Sequence, residues 1–129
     1  DKVLRMCLIH DFGEAVTGDI PSFEKTGADE AAETEAVAGM LAPLPEPLRG
    51  ELTALFAEMD AFETPESRVY KALDKLEAVL QHNEAPLDTW TPLERQLQLD
   101  YGAENAAEFP WLRALRDALR QDTLEKLGK

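Results

Sequence analysis

No stretch of this sequence alternates apolar and polar residues with period two, while apolar residues recur three and four apart over most of its length. That pattern suits helices packed on helices and leaves no candidate for a half-buried strand. The residue types agree. Ala, Leu and Glu dominate and β-branched residues are few, which favours helix. With 129 residues, 44% of them hydrophobic, the chain fits one compact domain with a core. The expected fold is an all-α bundle of about six helices.

Prolines and caps set the expected boundaries. The stripe Val3, Leu4, Cys7 and Leu8 opens a helix over 2–17, which Gly18 ends. Ile20-Pro21 starts a loop to about Gly27. A second helix over 29–41 carries Ala36, Val37, Met40 and Leu41 on its apolar side. Pro43, Pro45 and Pro47 interrupt it, and Pro47 suits the first turn of a third helix with Leu48, Leu52, Leu55, Phe56, Met59 and Phe62. Thr64-Pro65-Glu66 is a start signal for a fourth, running to about His82 with Val69, Leu73, Leu76 and Leu80 in line. Thr91 and Glu94 have capping-box spacing at the head of a fifth over 92–107. Pro110 opens a sixth, with Leu112, Leu115 and Leu119 inward.

The formal charge of -13 repels a nucleic-acid backbone, so no nucleic-acid partner is expected. It does not exclude a small phosphate neutralised by a metal and a few local cations. A single cysteine, Cys7, excludes an internal disulfide framework and a cysteine-rich zinc site; in its apolar run it reads as a packed thiol. No apolar run reaches the roughly 18–20 residues that span a bilayer, and no signal peptide is visible, so a cytoplasmic protein without a membrane partner is expected. The sequence opens on Asp1 and enters an amphipathic helix at once, as a fragment of a longer chain would.

The spacing of the first stripe carries on through 10, 11, 14 and 15, where His10, Asp11 and Glu14 are polar. Polar groups on a buried helix face need compensation, and a divalent cation provides it. Adjacent His and Asp point about 100° apart on a helix and can both reach one ion between them. Imidazole and carboxylate suit Mn, Fe, Co, Ni or Zn, and Mg less well. Glu14, one turn beyond His10, is placed for a hydrogen bond to water at that ion. The plainer alternative is that His10 caps or packs and Asp11 pairs with an Arg. Asp74 lies mid-helix beside Leu73, where Asp has poor propensity. It either completes the ion's shell from a neighbouring helix or belongs to a solvated face with Lys71, Lys75 and Glu77.

The segment His10-Asp11-Phe12-Gly13-Glu14-Ala15-Val16-Thr17-Gly18-Asp19-Ile20-Pro21 resembles the signature of HD-domain phosphohydrolases of the 5′-deoxynucleotidase group. Residues 64–77, with Asp74, are similar to the segment bearing that group's last metal-binding Asp, and Glu33-Thr34-Glu35-Ala36 to its intervening acidic helix. The resemblance implies a divalent metal (Mn, Co, Fe, Ni, Zn or Mg) held by His10, Asp11 and Asp74. It implies Glu14 and Asp19 as catalytic acids, a deoxynucleoside monophosphate as the small phosphorylated substrate, and a homodimer. The family pattern also has a His on a helix before the pair, for which this sequence has no residue. The expected domain, 1–129, is therefore N-terminally incomplete. His82 follows Asp74 and reads as a helix-end residue.

On this reading Glu14 orients the attacking water and Asp19 gives a proton to the leaving 5′ oxygen. As a plain turn residue after Gly18, Asp19 needs no such role. Arg68 and Lys71 are candidate phosphate contacts, or simply solubilising charges. Two further readings stay open. The substrate is a nucleoside triphosphate or guanosine polyphosphate, or the chain is a non-catalytic helical binding module. Trp90 and Trp111 suit core or interface.

Overall fold

Caps and prolines start most of the helices where the residue types demand. The computed structural model describes residues 1–21 and 23–129. Its helices are α1 (Lys2–Ile9), α2 (Glu14–Thr17), α3 (Gly27–Leu41), α4 (Leu48–Ala61), α5 (Pro65–Glu84), α6 (Pro92–Asp100), α7 (Ala103–Ala107) and α8 (Pro110–Lys126), with a 3-10 turn at Leu87–Thr89. Among the described residues there is no strand, so the fold is all-α. Six of the helices have eight residues or more; α2 and α7 are single turns.

The Thr91–Glu94 capping box forms in both directions, at 3.2 and 2.7 Å. Thr26 and Asp29 make a second box, at 3.3 and 2.8 Å, so α3 starts two residues before Asp29. The Thr64 hydroxyl accepts from the Ser67 amide at 3.2 Å at the head of α5. Each such cap satisfies an amide that has no partner within the helix. No helix among the described residues is long and apolar enough to cross a membrane.

Two expected helices are broken. The helix over 2–17 stops at Ile9, and residues 10–13 form tight turns in which Phe12, Glu14 and Ala15 donate to the carbonyls of Ile9, Asp11 and Phe12. These three-residue closures overwind the chain and rotate the apolar face. Within α1 itself the expected stripe is not the buried one: Leu4 and Leu8 are 66% and 78% exposed, while Met6 and Ile9 are buried. The helix over 92–107 is split at Tyr101-Gly102. Gly102 has φ +79°, and a Cβ there would lie 3.1 Å from Lys75 Cβ and 3.2 Å from Leu76 Cδ2. Both the left-handed backbone and the close approach to α5 call for glycine. The loop between α2 and α3 includes Ser22, which lies outside the described residues.

The chain forms two compact units, Asp1–Ser67 and Arg68–Lys129, with α5 starting in the first and continuing through the second. In the first, α1 packs on α4, α2 on α3, and α3 on α4. Lys2 pairs with Glu58 at 2.9 Å, and the Phe12 and Phe56 rings meet at 6.3 Å. In the second, Ala72, Leu76 and Val79 of α5 form a core with Ala106 of α7 and Leu112 and Leu119 of α8. Each buried leucine contributes about 1.5–3 kcal/mol by leaving water. Val69, Leu73, Tyr101 and Phe109 pack around that core, whereas Leu80 and Leu115 are 45% and 41% exposed. Trp90 is buried and Trp111 exposed. Cys7 is half-buried rather than fully packed.

Candidate metal centre

The turn that breaks the first helix is also the turn that presents the His-Asp pair. Because α1 ends at Ile9, His10 folds back so that its Nδ1 lies 2.6 Å from the Cys7 carbonyl oxygen. A carbonyl only accepts, so Nδ1 carries the proton and donates. In the neutral ring this leaves Nε2 as the nitrogen with the lone pair, and Nε2 is 3.1 Å from Asp11 Oδ1. Two electron-pair donors that close repel unless a proton or a cation lies between them. Ligands about 2.1 Å from one ion and roughly at right angles to each other would be about 3.0 Å apart. The donor types and their separation therefore fit two neighbouring metal ligands, with the backbone carbonyl acting as the outer partner that orients the imidazole.

Burial differs from the sequence expectation. The Asp11 side chain is 59% exposed and that of His10 is 21% exposed. A buried carboxylate is thus not what calls for an ion here; the juxtaposition of the two donors is. Among the described residues, no group of three His, Cys, Asp or Glu side chains is arranged to hold a metal.

Glu14 starts α2 and is half-buried. Burial first, then the charges of Asp11, Asp19 and Glu33, push its carboxyl above the ordinary range; Lys25 pulls the other way. Asp19 follows Gly18, whose φ of +79° ends α2 as expected. Its charge reaches Glu14, which ties it to the His-Asp turn electrically.

Two further members were not among the expected site residues, although Glu33 lies in the segment similar to the family's acidic helix. Glu33 of α3 pairs with Lys25 at 2.8 Å, with both side chains about four-fifths covered. α3 comes this near because residue 13 is glycine. A Cβ on Gly13 would stand 3.1 Å from the Glu33 carbonyl oxygen and 3.2 Å from Glu33 Cβ. A glycine at that point of the motif is the one sequence signal for a close neighbour; nothing in the sequence says that the neighbour is Glu33.

Asp74, Lys71 and Arg68 belong to the second unit, on α5. Lys71 Nζ stands 3.5 Å from Asp74 Oδ2, the helical ion pair anticipated as the plainer alternative. Arg68 grips Glu108 with two nitrogens, at 2.7 and 2.9 Å, and holds that carboxyl below its ordinary range. Lys75 donates to Asn105 at 2.9 Å and covers the Tyr101 ring. His82, in the last turn of α5, meets the Ala78 carbonyl at 3.1 Å and Glu94 at 3.4 Å, edge-on to Trp90.

A family model described as the HD domain matches residues 1–111. The chain belongs to the HD-domain family. HD domains are metal-dependent. The HD-domain chain is 35% identical over 86 residues to 5′-deoxynucleotidase HDDC2 of Mus musculus, covering 65% of this chain and 43% of that protein. It is also 35% identical over 86 residues to the Homo sapiens protein of the same name, covering 65% and 42%. Against 5′-deoxynucleotidase hdd1 of Schizosaccharomyces pombe the identity is 29% over 117 residues, covering 86% and 54%. The matched part spans about half or less of these relatives' length. No solved structure gives a significant match.

Proposed function

We propose that this HD domain is a metal-dependent phosphohydrolase that removes the 5′-phosphate from deoxynucleoside monophosphates. The observation that carries the reading is the His10–Asp11 pair. One ring nitrogen is committed to a carbonyl and the other stands 3.1 Å from a carboxylate oxygen, in a chain whose relatives are named 5′-deoxynucleotidases.

His10, Asp11 and, from α5, Asp74 would hold the ion. A divalent cation so held supplies Lewis-acid activation of water and of the phosphoryl oxygen. The remaining work falls to the protein's own groups. Glu14 orients the attacking water and accepts its proton. The water oxygen bonds to phosphorus as the bond to the 5′ oxygen breaks, and the proton taken from the water reaches that leaving oxygen by way of Asp19. His10 holds its orientation throughout through Nδ1. The donor set suits Mn, Fe, Co, Ni or Zn. A cytoplasmic setting and a homodimer belong to the same reading.

Phosphate release from a panel of deoxynucleoside monophosphates with added Mn or Co tests it, alongside elemental analysis of the purified protein. Asp11→Ala and Asp74→Ala are each expected to lower kcat/KM by more than about 100-fold and to lose bound metal. Unchanged activity in both would sink the proposal, and hydrolysis confined to nucleoside triphosphates or guanosine polyphosphates would move it to another substrate.

A further inference from the structure

The first unit is strongly one-sided in charge. Residues 1–67 hold fifteen Asp and Glu against four Lys and Arg. A phosphate dianion brought to His10 and Asp11 there meets Asp11, Glu14, Asp19 and Glu33 together, and one divalent ion cannot offset both them and the phosphate. The four cations have distinct surroundings. Lys2 is paired with Glu58 at 2.9 Å and Arg49 with Glu46 at 3.0 Å. Arg5 lines the groove between α1 and α4. Lys25 stands beside the acids of the site: its Nζ is 2.8 Å from Glu33 Oε1, and its charge and that of Glu14 act on each other.

We propose that Lys25 is a substrate-phosphate contact of this HD domain, held ready by Glu33; this rests on the hydrolase reading above. An ammonium has three N–H donors, and the ion pair with Glu33 engages at most one of them. The others serve a phosphate oxygen without giving up the pair. Glu33 keeps the ammonium charged, since its hydrogen bond and charge raise the lysine pKa further, and Glu14 adds to this. The side chain is 21% exposed, so solvent screens the charge only in part. Gly13 is what permits the arrangement, because it lets the Glu33 backbone approach the His-Asp turn.

The test compares Lys25→Met, Lys25→Arg and Glu33→Gln with the wild type in Mn-loaded protein. It reads KM and kcat for dAMP and the inhibition constant of inorganic phosphate. Calorimetric binding of dAMP in EDTA and the melting temperature are measured on the same proteins. Lys25→Met is expected to raise KM and the phosphate inhibition constant by about 10–100-fold, since a hydrogen bond to a charged group is worth about 1.5–3 kcal/mol. Lys25→Arg is expected to stay within about threefold. Glu33→Gln removes the ion pair but leaves the ammonium, so phosphate affinity should hold or tighten. Lys25→Met with unchanged constants overturns the proposal. So do equal losses in Lys25→Met and Glu33→Gln, which would mark the pair as purely structural. A wild type that binds dAMP in EDTA without turning it over in Mn refutes the hydrolase reading, and the binding comparison then decides Lys25. A wild type that neither binds nor hydrolyses dAMP overturns both.

Discussion

Gly13 stands at the start of α2 with an ordinary helical backbone, φ -60° and ψ -31°. Alanine suits that conformation, and by itself Gly13→Ala would stabilise the protein by about 0.4–1 kcal/mol through the unfolded chain. The surroundings oppose it. The new methyl would stand 3.1 Å from the Glu33 carbonyl oxygen, 3.2 Å from Glu33 Cβ and 3.3 Å from Glu33 Cα. None of these is the end of a flexible side chain. They sit inside the fifteen-residue helix α3, so relief requires α2 and α3 to move apart. Forced packing of one extra carbon costs about 1–3 kcal/mol. Crowding wins, and a net loss of about 1–2 kcal/mol is expected, near 3–8 °C in Tm for a chain of this size. Gly39→Ala is the control, because nothing lies within 4 Å of a Cβ there and the residue is inside α3. That change should stabilise by about 0.5–1 kcal/mol. Urea denaturation and thermal melts of both variants read the sign directly. Gly13→Ala as stable as Gly39→Ala would refute the close approach of α3 to the His-Asp turn.

Glu14 is pushed up by burial and by Asp11, Asp19 and Glu33, so whatever it contributes to stability is present at low pH and is lost as pH rises through its folded pKa. In EDTA-treated protein, Glu14→Gln should therefore raise Tm at pH 7 and give no gain near pH ~3, where the carboxyl is protonated folded or unfolded; an unchanged or lower Tm at pH 7 would contradict this. Arg116 is 4% exposed and donates from Nη2 to the Gln98 carbonyl at 2.8 Å, but its buried Nε and Nη1 have no hydrogen-bond partner among the described residues. Each such donor costs about 1–3 kcal/mol, so Arg116→Met should leave the midpoint in urea unchanged or raised, and a loss above about 2 kcal/mol would show that the guanidinium is better satisfied than its contacts indicate.

Much of the helical layout was legible in the sequence because caps and prolines act locally. Thr64-Pro65 and Thr91–Glu94 start α5 and α6 by satisfying amides within three residues, whatever the chain does elsewhere. The family was legible for a related reason: the resemblance rests on residue types in a set order along the chain. The two broken helices were not legible. At residues 10–13 and at Gly102 the periodicity runs on, and the breaks appear where a neighbouring helix comes within about 3 Å of where a Cβ would be, α3 in one case and α5 in the other.

The same division runs through the site. The sequence by itself determined that a His and an Asp stand together, that Glu14 follows one turn later and that a glycine lies between them. Only the tertiary structure decided the rest. It commits His10 Nδ1 to a carbonyl and leaves Asp11 in solvent rather than in a core. It also sets a Lys25–Glu33 ion pair beside Glu14, from a loop and a helix that the sequence pattern leaves apart. Caps depend on bonds between near neighbours in the chain. A burial pattern and a pairing across helices depend on which surfaces meet, and residue order fixes that only through the packing of the whole unit.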